Sequence, residues 1–290
     1  MKLTMILLLG LLAPQPDSLL VVSWNVENFL DYRTDTTGRH TASRFYSKCN
    51  SVAKTLFLIA QEEGRLPDAV ALMEIGDRFV LDRLLRSTPL RKLDYSVVHY
   101  ESPDRRGIDC ALLFRRSSLH LIHSRPCHLY DSTGAVMPTR DILLAEFDSL
   151  AILVNHHPSK VGAASGARRA VAMARMTALM DSLSVPVLSA GDFNDDVWHT
   201  GGPGTIKYNG AWEKIDGHFA RGLTVRERVF AAPVLSEEDR TWGGTKPRRT
   251  FSGPRYLGGV SDHYPVILWI RKTAAGHSSN GTTGGNIMLF

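Results

Sequence analysis

Five polar clusters interrupt apolar runs in this chain. They are Trp24-Asn25-Val26-Glu27-Asn28, Glu74 closing Ala69-Val70-Ala71-Leu72-Met73, Val154-Asn155-His156-His157-Pro158-Ser159, Gly191-Asp192-Phe193-Asn194-Asp195, and Ser261-Asp262-His263-Tyr264-Pro265. Water attacks a phosphoester only when the nucleophile is deprotonated, the charge growing on the phosphoryl oxygens is offset, and the leaving oxygen is stabilised. Carboxylates, a divalent cation and a cationic imidazole supply those needs. Glu74 is the candidate metal ligand, because Mg²⁺ prefers hard oxygen donors and binds through one or two carboxylates while keeping several waters. Asn25 can add a carbonyl oxygen beside it. Asp192 can polarise a water, and the Asn194 amide can donate to a phosphate oxygen while its carbonyl faces a metal. Mg²⁺ binds imidazole poorly, so His156 and His263 suit charge and proton work. Asp216, in Lys214-Ile215-Asp216-Gly217-His218, is the candidate to orient one imidazole and stabilise its charged form. Arg140 can present a planar fork to a phosphate, with an ion pair to Asp141 or Glu146 as the alternative.

Each cluster alone has a plainer reading. A lone Glu after a strand is an exposed strand-end charge, and Gly-Asp-Phe-Asn is rich in turn residues. The chemical reading rests on all five occurring together. The chain has eleven histidines. Of these, His99, His120, His123 and His128 have no matching acids nearby in the sequence, and His157 is expected to face away from His156 if the strand continues. Trp242, Phe251 and Tyr256 flank Lys246-Pro247-Arg248-Arg249, a mix that suits base stacking over a basic groove or an ordinary packed loop.

The elements that must position these residues alternate along the chain. Helices are predicted over Ser43 to Glu63, with Gly64 as C-cap, over Asp77 to Ser87, and over Ala167 to Leu183. In the third, Ala170, Met173, Ala174, Thr177 and Met180 form the expected core face. Strands are predicted over Tyr95 to Tyr100, Asp109 to Phe114, Leu119 to His123, Ile142 to Phe147, Ala151 to Val154, Val185 to Ser189 and Val266 to Ile270, with a first strand from Leu19. Several are consecutive, which excludes a purely parallel, doubly wound sheet. Two mixed sheets packed face to face with helices outside account for the order.

With 290 residues, 43% of them hydrophobic, the chain can bury a sizeable core, and its formal charge of +5 favours an anionic partner. The excess is spread over doublets such as Arg105-Arg106, Arg115-Arg116, Arg168-Arg169 and Arg248-Arg249. Three cysteines, Cys49, Cys110 and Cys127, have no zinc-binding spacing and read as small buried residues. Residues 1–18 have the outline of a secretory signal peptide, with an apolar N-terminal extension of a cytoplasmic protein as the alternative; their apolar run is too short to span a bilayer. Export is the favoured expectation. Residues 19–271 are expected to form one domain and residues 272–290 a mobile tail.

In order and type, these motifs resemble the endonuclease/exonuclease/phosphatase superfamily, which includes deoxyribonuclease I. They are Trp24-Asn25-Val26-Glu27-Asn28, Glu74, Gly107-Ile108-Asp109 leading a strand, Asn155-His156, Gly191-Asp192-Phe193-Asn194, Ile215-Asp216 and Ser261-Asp262-His263-Tyr264-Pro265-Val266. The stretch from Lys246 to Gly259 is similar to uncharacterised bacterial members. The resemblance implies a four-layer α/β/β/α sandwich of two mixed sheets with the site at one end, and Mg²⁺ or Mn²⁺ as cofactor. It implies that Asn25 and Glu74 hold the metal, that Asp262 serves a second ion, and that Asp192 and Asn194 position water and phosphate. Asp216 would orient His263, and His156 would neutralise the phosphate or protonate the leaving oxygen. Met73 stands where members often carry Gln. The expected function is a metal-dependent, nuclease-like phosphodiesterase acting on a phosphate ester, nucleic acid being one candidate, with no obligate protein partner evident. A phosphomonoesterase or a phospholipid or inositol phosphate esterase is the first alternative, and a non-catalytic binding module the second. Loops around residues 33–42, 125–138 and 199–210 would separate the enzyme readings.

Overall fold

The computed structural model describes residues 18–162, 164–197 and 204–272. Residues 1–17 of the expected signal peptide, the tail beyond residue 272 and part of the 199–210 loop lie outside the described residues, whereas Ser18 opens β1. In chain order the elements are β1 (Ser18–Phe29), α1 (Ala42–Glu63), β2 (Ala69–Ile75), α2 (Arg78–Ser87), β3 (Tyr95–His99), β4 (Asp109–Arg115), β5 (Leu121–Cys127), β6 (Ile142–Phe147), β7 (Ala151–His156), α3 (Ser165–Ser182) and β8 (Val187–Asp192). There follow β9 (Ile206–Tyr208), β10 (Ala211–Glu213), β11 (Asp216–Arg221), β12 (Leu223–Val229), β13 (Ser236–Glu238), β14 (Thr245–Pro247), β15 (Phe251–Ser252), β16 (Arg255–Tyr256) and β17 (Val266–Lys272).

A six-stranded sheet has the order β12-β17-β1-β2-β4-β3, and a five-stranded sheet the order β11-β8-β7-β6-β5. Both are mixed: β1 runs parallel to β2 and β7 parallel to β8, while the other pairings in the two sheets are antiparallel. Each parallel pair is joined through a helix, α1 in one case and α3 in the other, as a crossover between parallel strands requires. Strand alternation sorts the apolar residues into three cores. Val21, Ala71, Met73, Leu112, Ile152, Val154, Leu188 and Leu268 fill the space between the sheets. Val22, Trp24, Val70 and Leu72 face α1 and α2. Leu144, Leu153 and Val187 face α3. The layers are therefore helix, sheet, sheet, helix, the expected sandwich.

Helix α1 follows from spacing. Phe45, Cys49, Val52, Leu56 and Ile59 recur every three or four residues and are buried, each such side chain contributing about 1.5–3 kcal/mol. Thr41 caps its start by accepting from the Arg44 N–H, and Gly64 ends it at φ 70°, a left-handed position suited to glycine. Asp77 caps α2 by accepting from the Val80 N–H. In α3 the expected face is corrected: Ala172, Met176, Leu179 and Met180 are buried, whereas Ala170, Ala174 and Thr177 are exposed. The helix has small or apolar residues nearly all round, so its periodicity did not select the buried side. The three cysteines are free and buried.

Candidate active site

The C-terminal ends of β1, β2, β7 and β8 meet at one edge of the sandwich. In the first sheet, register shifts interrupt the ladder between Asn25 and Phe29 and between Met73 and Ile75. Three non-glycine residues there take positive φ, Glu27 at 47°, Asn28 at 46° and Glu74 at 65°. Such conformations cost about 1–3 kcal/mol each and persist only where the surroundings enforce them. The irregularity at Glu74 reverses side-chain parity: regular alternation would put Met73 and Ile75 on one face, yet Met73 lies between the sheets and Ile75 under the helices. Glu74 is thereby aimed at the sandwich edge, where its carboxylate accepts the Asn28 N–H at 2.7 Å and the Asn25 amide at 3.4 Å.

The second sheet reaches the same edge by regular pairing, Asn155 opposite Gly191 and His156 opposite Asp192. A Cβ at residue 191 would sit 2.0 Å from the Asn155 carbonyl oxygen, so only glycine lets the two strands approach. His156 Nε2 lies 3.6 Å from Asp192 Oδ2 and 3.9 Å from Glu74 Oε1, linking the two sheets. The Asn25 amide donates to Asp192 Oδ2 at 3.0 Å.

His263 enters from the loop before β17. Its Nδ1 is 2.8 Å from Asp216 Oδ2, and its Nε2 is 4.0 Å from Asp192 Oδ2 and 3.9 Å from Asp262 Oδ1. Its backbone is fixed from β1: Trp24 Nε1 donates to the His263 carbonyl at 3.0 Å. The Ser261 hydroxyl donates to the Asn25 carbonyl at 2.6 Å and accepts the His263 N–H at 3.0 Å. Asp192, Asp216, His156 and His263 are all buried.

This environment drives the two imidazoles apart. Burial, then the positive charges of Arg140 and Arg106, push His156 well below the ordinary imidazole value. Burial would depress His263 too, but the carboxylates of Asp216, Asp192 and Asp262 outweigh it and hold the ring well above that value. Asp192 is pushed up to about 7 by burial and then by Asp216. The edge therefore contains a neutral imidazole, a charged one, and a carboxyl poised near neutrality.

The donor set fits a hard divalent cation. Asp192 and Asp216 offer carboxylate oxygens within 4.8 Å of one another and of His263, and Glu74 adds a carboxylate 3.9 Å from His156 Nε2, so hard oxygen donors gather beside the two imidazoles. Asn25 behaves differently from expectation. Its carbonyl oxygen accepts the Glu27 N–H and its NH₂ group faces Glu74 and Asp192, so it ties the carboxylates together.

Three other expected residues stand at the rim. Asn194, at φ 51°, caps Asp192 with its N–H and gives its amide to the His157 carbonyl. Asp262 is partly exposed and pairs with Arg249 at 2.8 Å. The Arg140 reading is corrected. Both terminal nitrogens are committed to the fold, one to Asp104 at 3.0 Å and one to the His157 carbonyl at 2.6 Å, and the pairing is with neither Asp141 nor Glu146. Burial of the guanidinium favours such internal partners over a phosphate. His157 does turn away from the site, packing edge-on against Phe193 on the other face of the sheet. Two histidines read as lacking acids have them: His128 lies 2.8 Å from Asp141, and His99 lies 3.4 Å from Asp109. Phe251 is buried with the Arg39 guanidinium 4.3 Å over its ring, and Arg44 sits over Tyr256, so these aromatics belong to a packed loop.

A buried network behind the site went unread. Glu27 accepts the N–H groups of Thr250 and Phe251, while Lys48 donates to the Glu27 carbonyl and to the Thr250 hydroxyl. Burial lowers Lys48 to about 8 and, together with Asp262, raises Glu27. Lys48 was detectable as a single charge on the apolar face of α1, three residues after Phe45.

Fold and site define a hydrolase of phosphoric esters. The sequence matches the Endonuclease/Exonuclease/phosphatase family over residues 21–202 and 197–272, and the chain belongs to that family. No curated protein sequence matches it. Two crystal structures of D. rerio TDP2, one humanized by 14 mutations and one complexed with single strand DNA product, are similar at 16% identity. The likeness covers 88% of this chain and 99% of theirs, with TM-scores of 0.59 and 0.56. An endonuclease/exonuclease/phosphatase family protein from Bacteroides thetaiotaomicron is similar at 16% identity over 89% of this chain and 99% of that one, with a TM-score of 0.57. At such identity the likeness concerns the fold.

Proposed function

We propose that this chain is a phosphodiesterase that cleaves nucleic acid with the help of Mg²⁺ or Mn²⁺. The observation that carries the reading is the meeting of Glu74, His156, Asp192 and the Asp216–His263 pair at one sandwich edge, from segments spread across the chain. Held by Glu74, a divalent ion would supply Lewis-acid charge to the phosphoryl oxygens. Asp192, buried and near neutrality, takes the proton of the attacking water. His263, kept charged by Asp216, directs Nε2–H at a phosphoryl oxygen and offsets the charge that grows there. His156, kept neutral by burial, hydrogen-bonds the ester through Nε2 without adding charge. Asn25 and Asn194 hold the two carboxylates in register with one another.

Nucleic acid is favoured by what adjoins the site. Arg39, His40 and Arg44 line a cleft of about 560 Å³ with Leu30, Thr37 and Pro254, and a narrower hollow continues from it to Asn28, whose N–H holds Glu74. Among the described residues neither arginine has a carboxylate partner, while Asp35 in the same cleft is consumed by Thr37 and the His40 N–H. Guanidinium groups that stack on Phe251 and Tyr256 yet keep their charge free of any carboxylate suit phosphates flanking the scissile one. D. rerio TDP2, of the same fold, holds a single strand DNA product.

The test is purified protein incubated with single-stranded DNA, supercoiled plasmid, an inositol polyphosphate and sphingomyelin, each with Mg²⁺, with Mn²⁺ and with chelator. Chelator-sensitive cleavage of DNA is expected. Release from inositol phosphate or sphingomyelin alone would move the chain to the phosphatase or headgroup-esterase reading, and no turnover on any would make it a binding module. Export is part of the proposal, and the native protein should then lack Met1 on N-terminal sequencing.

A further inference from the structure

We propose that His99, Glu101 and Asp109 form a second divalent-cation site, of a kind suited to Zn²⁺ or Mn²⁺, that clasps the two ends of the β3–β4 loop and is separate from the catalytic cluster. One ligand atom from each of the three residues lies within 4.8 Å of the other two. The side chains of His99 and Asp109 are only 3% and 1% exposed, and His99 Nε2 and Asp109 Oδ2 are both buried without a hydrogen-bond partner. Two such atoms left unpaired are costly unless something else satisfies both.

Their spacing says what that could be. His99 Nε2 stands 3.4 Å from Asp109 Oδ2 without forming a hydrogen bond, and about 3.4 Å is the edge of a tetrahedron whose metal–ligand bonds are about 2.1 Å. The other oxygen of Asp109 accepts the Ser102 N–H at 2.8 Å, which fixes the carboxylate with its free oxygen towards the ring. Glu101 is 67% exposed, and its carboxylate is 3.9 Å from His99 Nδ1, so it can swing to complete the set. One imidazole nitrogen with two carboxylates suits a first-row ion better than Mg²⁺ or Ca²⁺.

The site lies on the helix-covered face of the first sheet, at the end where β2 delivers Glu74 to the catalytic edge. Asp109 pairs with Ile75 and His99 with Ala111, and both partners belong to the core under α1 and α2, on the opposite face of the sheet from the second sheet. Glu101 and Asp109 begin and end a loop that carries Asp104, the partner of Arg140, and Arg106, whose charge helps keep His156 neutral. A cation there would hold the loop closed at its base, a structural role distinct from phosphoester chemistry.

The experiment is Zn²⁺ titration by calorimetry of the full-length Glu74→Gln variant, which weakens the proposed catalytic site, with Mn²⁺ as a second probe. Near-stoichiometric binding is expected to persist. Adding Glu101→Gln, a change at an exposed side chain that leaves the core intact, should weaken that binding by ~10-fold or more, and adding His99→Asn by at least as much. No stoichiometric Zn²⁺ or Mn²⁺ binding in Glu74→Gln, or binding that Glu101→Gln leaves unchanged, would overturn the site. If His99→Asn does not fold, judged by circular dichroism, the Glu101→Gln result decides. Loss of nuclease activity in Glu74→Gln bears on the catalytic reading alone, so the two proposals fail separately.

Discussion

The units β1–α1–β2 and β7–α3–β8 do the same task by different means. Each presents two polar side chains at the ends of adjacent parallel strands. The first does so by breaking its ladder, with Glu27, Asn28 and Glu74 held at positive φ. The second keeps its ladder regular and relies on Gly191 to bring the strands together. The difference follows from what is presented. Glu74 must leave the alternating pattern to reach the edge, whereas His156 and Asp192 already face it. Backbone strain is thus concentrated on the cation side of the site, with Asn194 at φ 51° the one such residue beside Asp192.

The largest effects should come from breaking this division of labour. Asp192→Ala and His263→Ala are each expected to lower turnover at least ~100-fold, the scale of lost acid–base or electrostatic help, at every Mg²⁺ concentration. Glu74→Gln should lower it comparably at low Mg²⁺ and recover in part as Mg²⁺ is raised, because it weakens a ligand and leaves the base in place. Rate against Mg²⁺ concentration for the three variants checks this; full recovery of Asp192→Ala by metal would reverse the assignment.

Stability should separate the units next. Gly191→Ala places a methyl carbon 2.0 Å from the Asn155 carbonyl oxygen, and backbone cannot yield as a flexible side chain would. A loss of about 3 kcal/mol or more is expected in denaturant unfolding. Asn28→Gly in the other unit puts glycine at φ 46°, which it adopts freely, and should change stability by less than about 1 kcal/mol.

How much of this was legible in the sequence follows the same physics. Apolar runs ending in Asn, Glu, His or Asp located the strands whose ends form the site, since burial on both faces leaves little else such runs can be. The strands β11 and β12 went unread. In β12 the half-buried Leu223, Val225, Glu227 and Val229 do alternate with exposed residues, but a glutamate within the half-buried set, flanked by Arg226 and Arg228, masks the period. Long-range pairing was invisible: no spacing joins Lys48 to Thr250, Arg140 to Asp104 or His99 to Asp109. The face of α3 was misread because alanine is tolerated inside and out.

A smaller effect should appear in the pH profile. His263 stays charged because three carboxylates, Asp216 foremost, together outweigh burial, so Asp216→Asn removes the main force raising its pKa, and the ring should lose its proton at lower pH. The alkaline limb of the rate profile is expected to move to lower pH, with the His263 ring titration followed by NMR moving in the same direction. An unchanged profile would mean that Asp192 and Asp262 suffice to hold the charge.

The smallest effect at neutral pH should come from the residue next to His156. His157 is buried beside Phe193, neither ring nitrogen has a hydrogen-bond partner, and burial pushes it down to about 3 from the ordinary 6.5. Folded, it is neutral through most of the acid range, while the unfolded chain takes up a proton below about pH 6.5. The unfolded state therefore binds more protons between those values, and stability falls as pH is lowered through that window, by up to about 1.4 kcal/mol per pH unit from this group. His157→Phe keeps the aromatic contact and removes the titration. Unfolding free energy near pH 8 should shift by less than about 1.5 kcal/mol, and the variant should lose less stability than the parent between pH 6.5 and 4. Equal acid sensitivity in the two proteins would show that the adjacent histidines are not divided, as their facing directions imply, into one that serves the site and one that only fills the core.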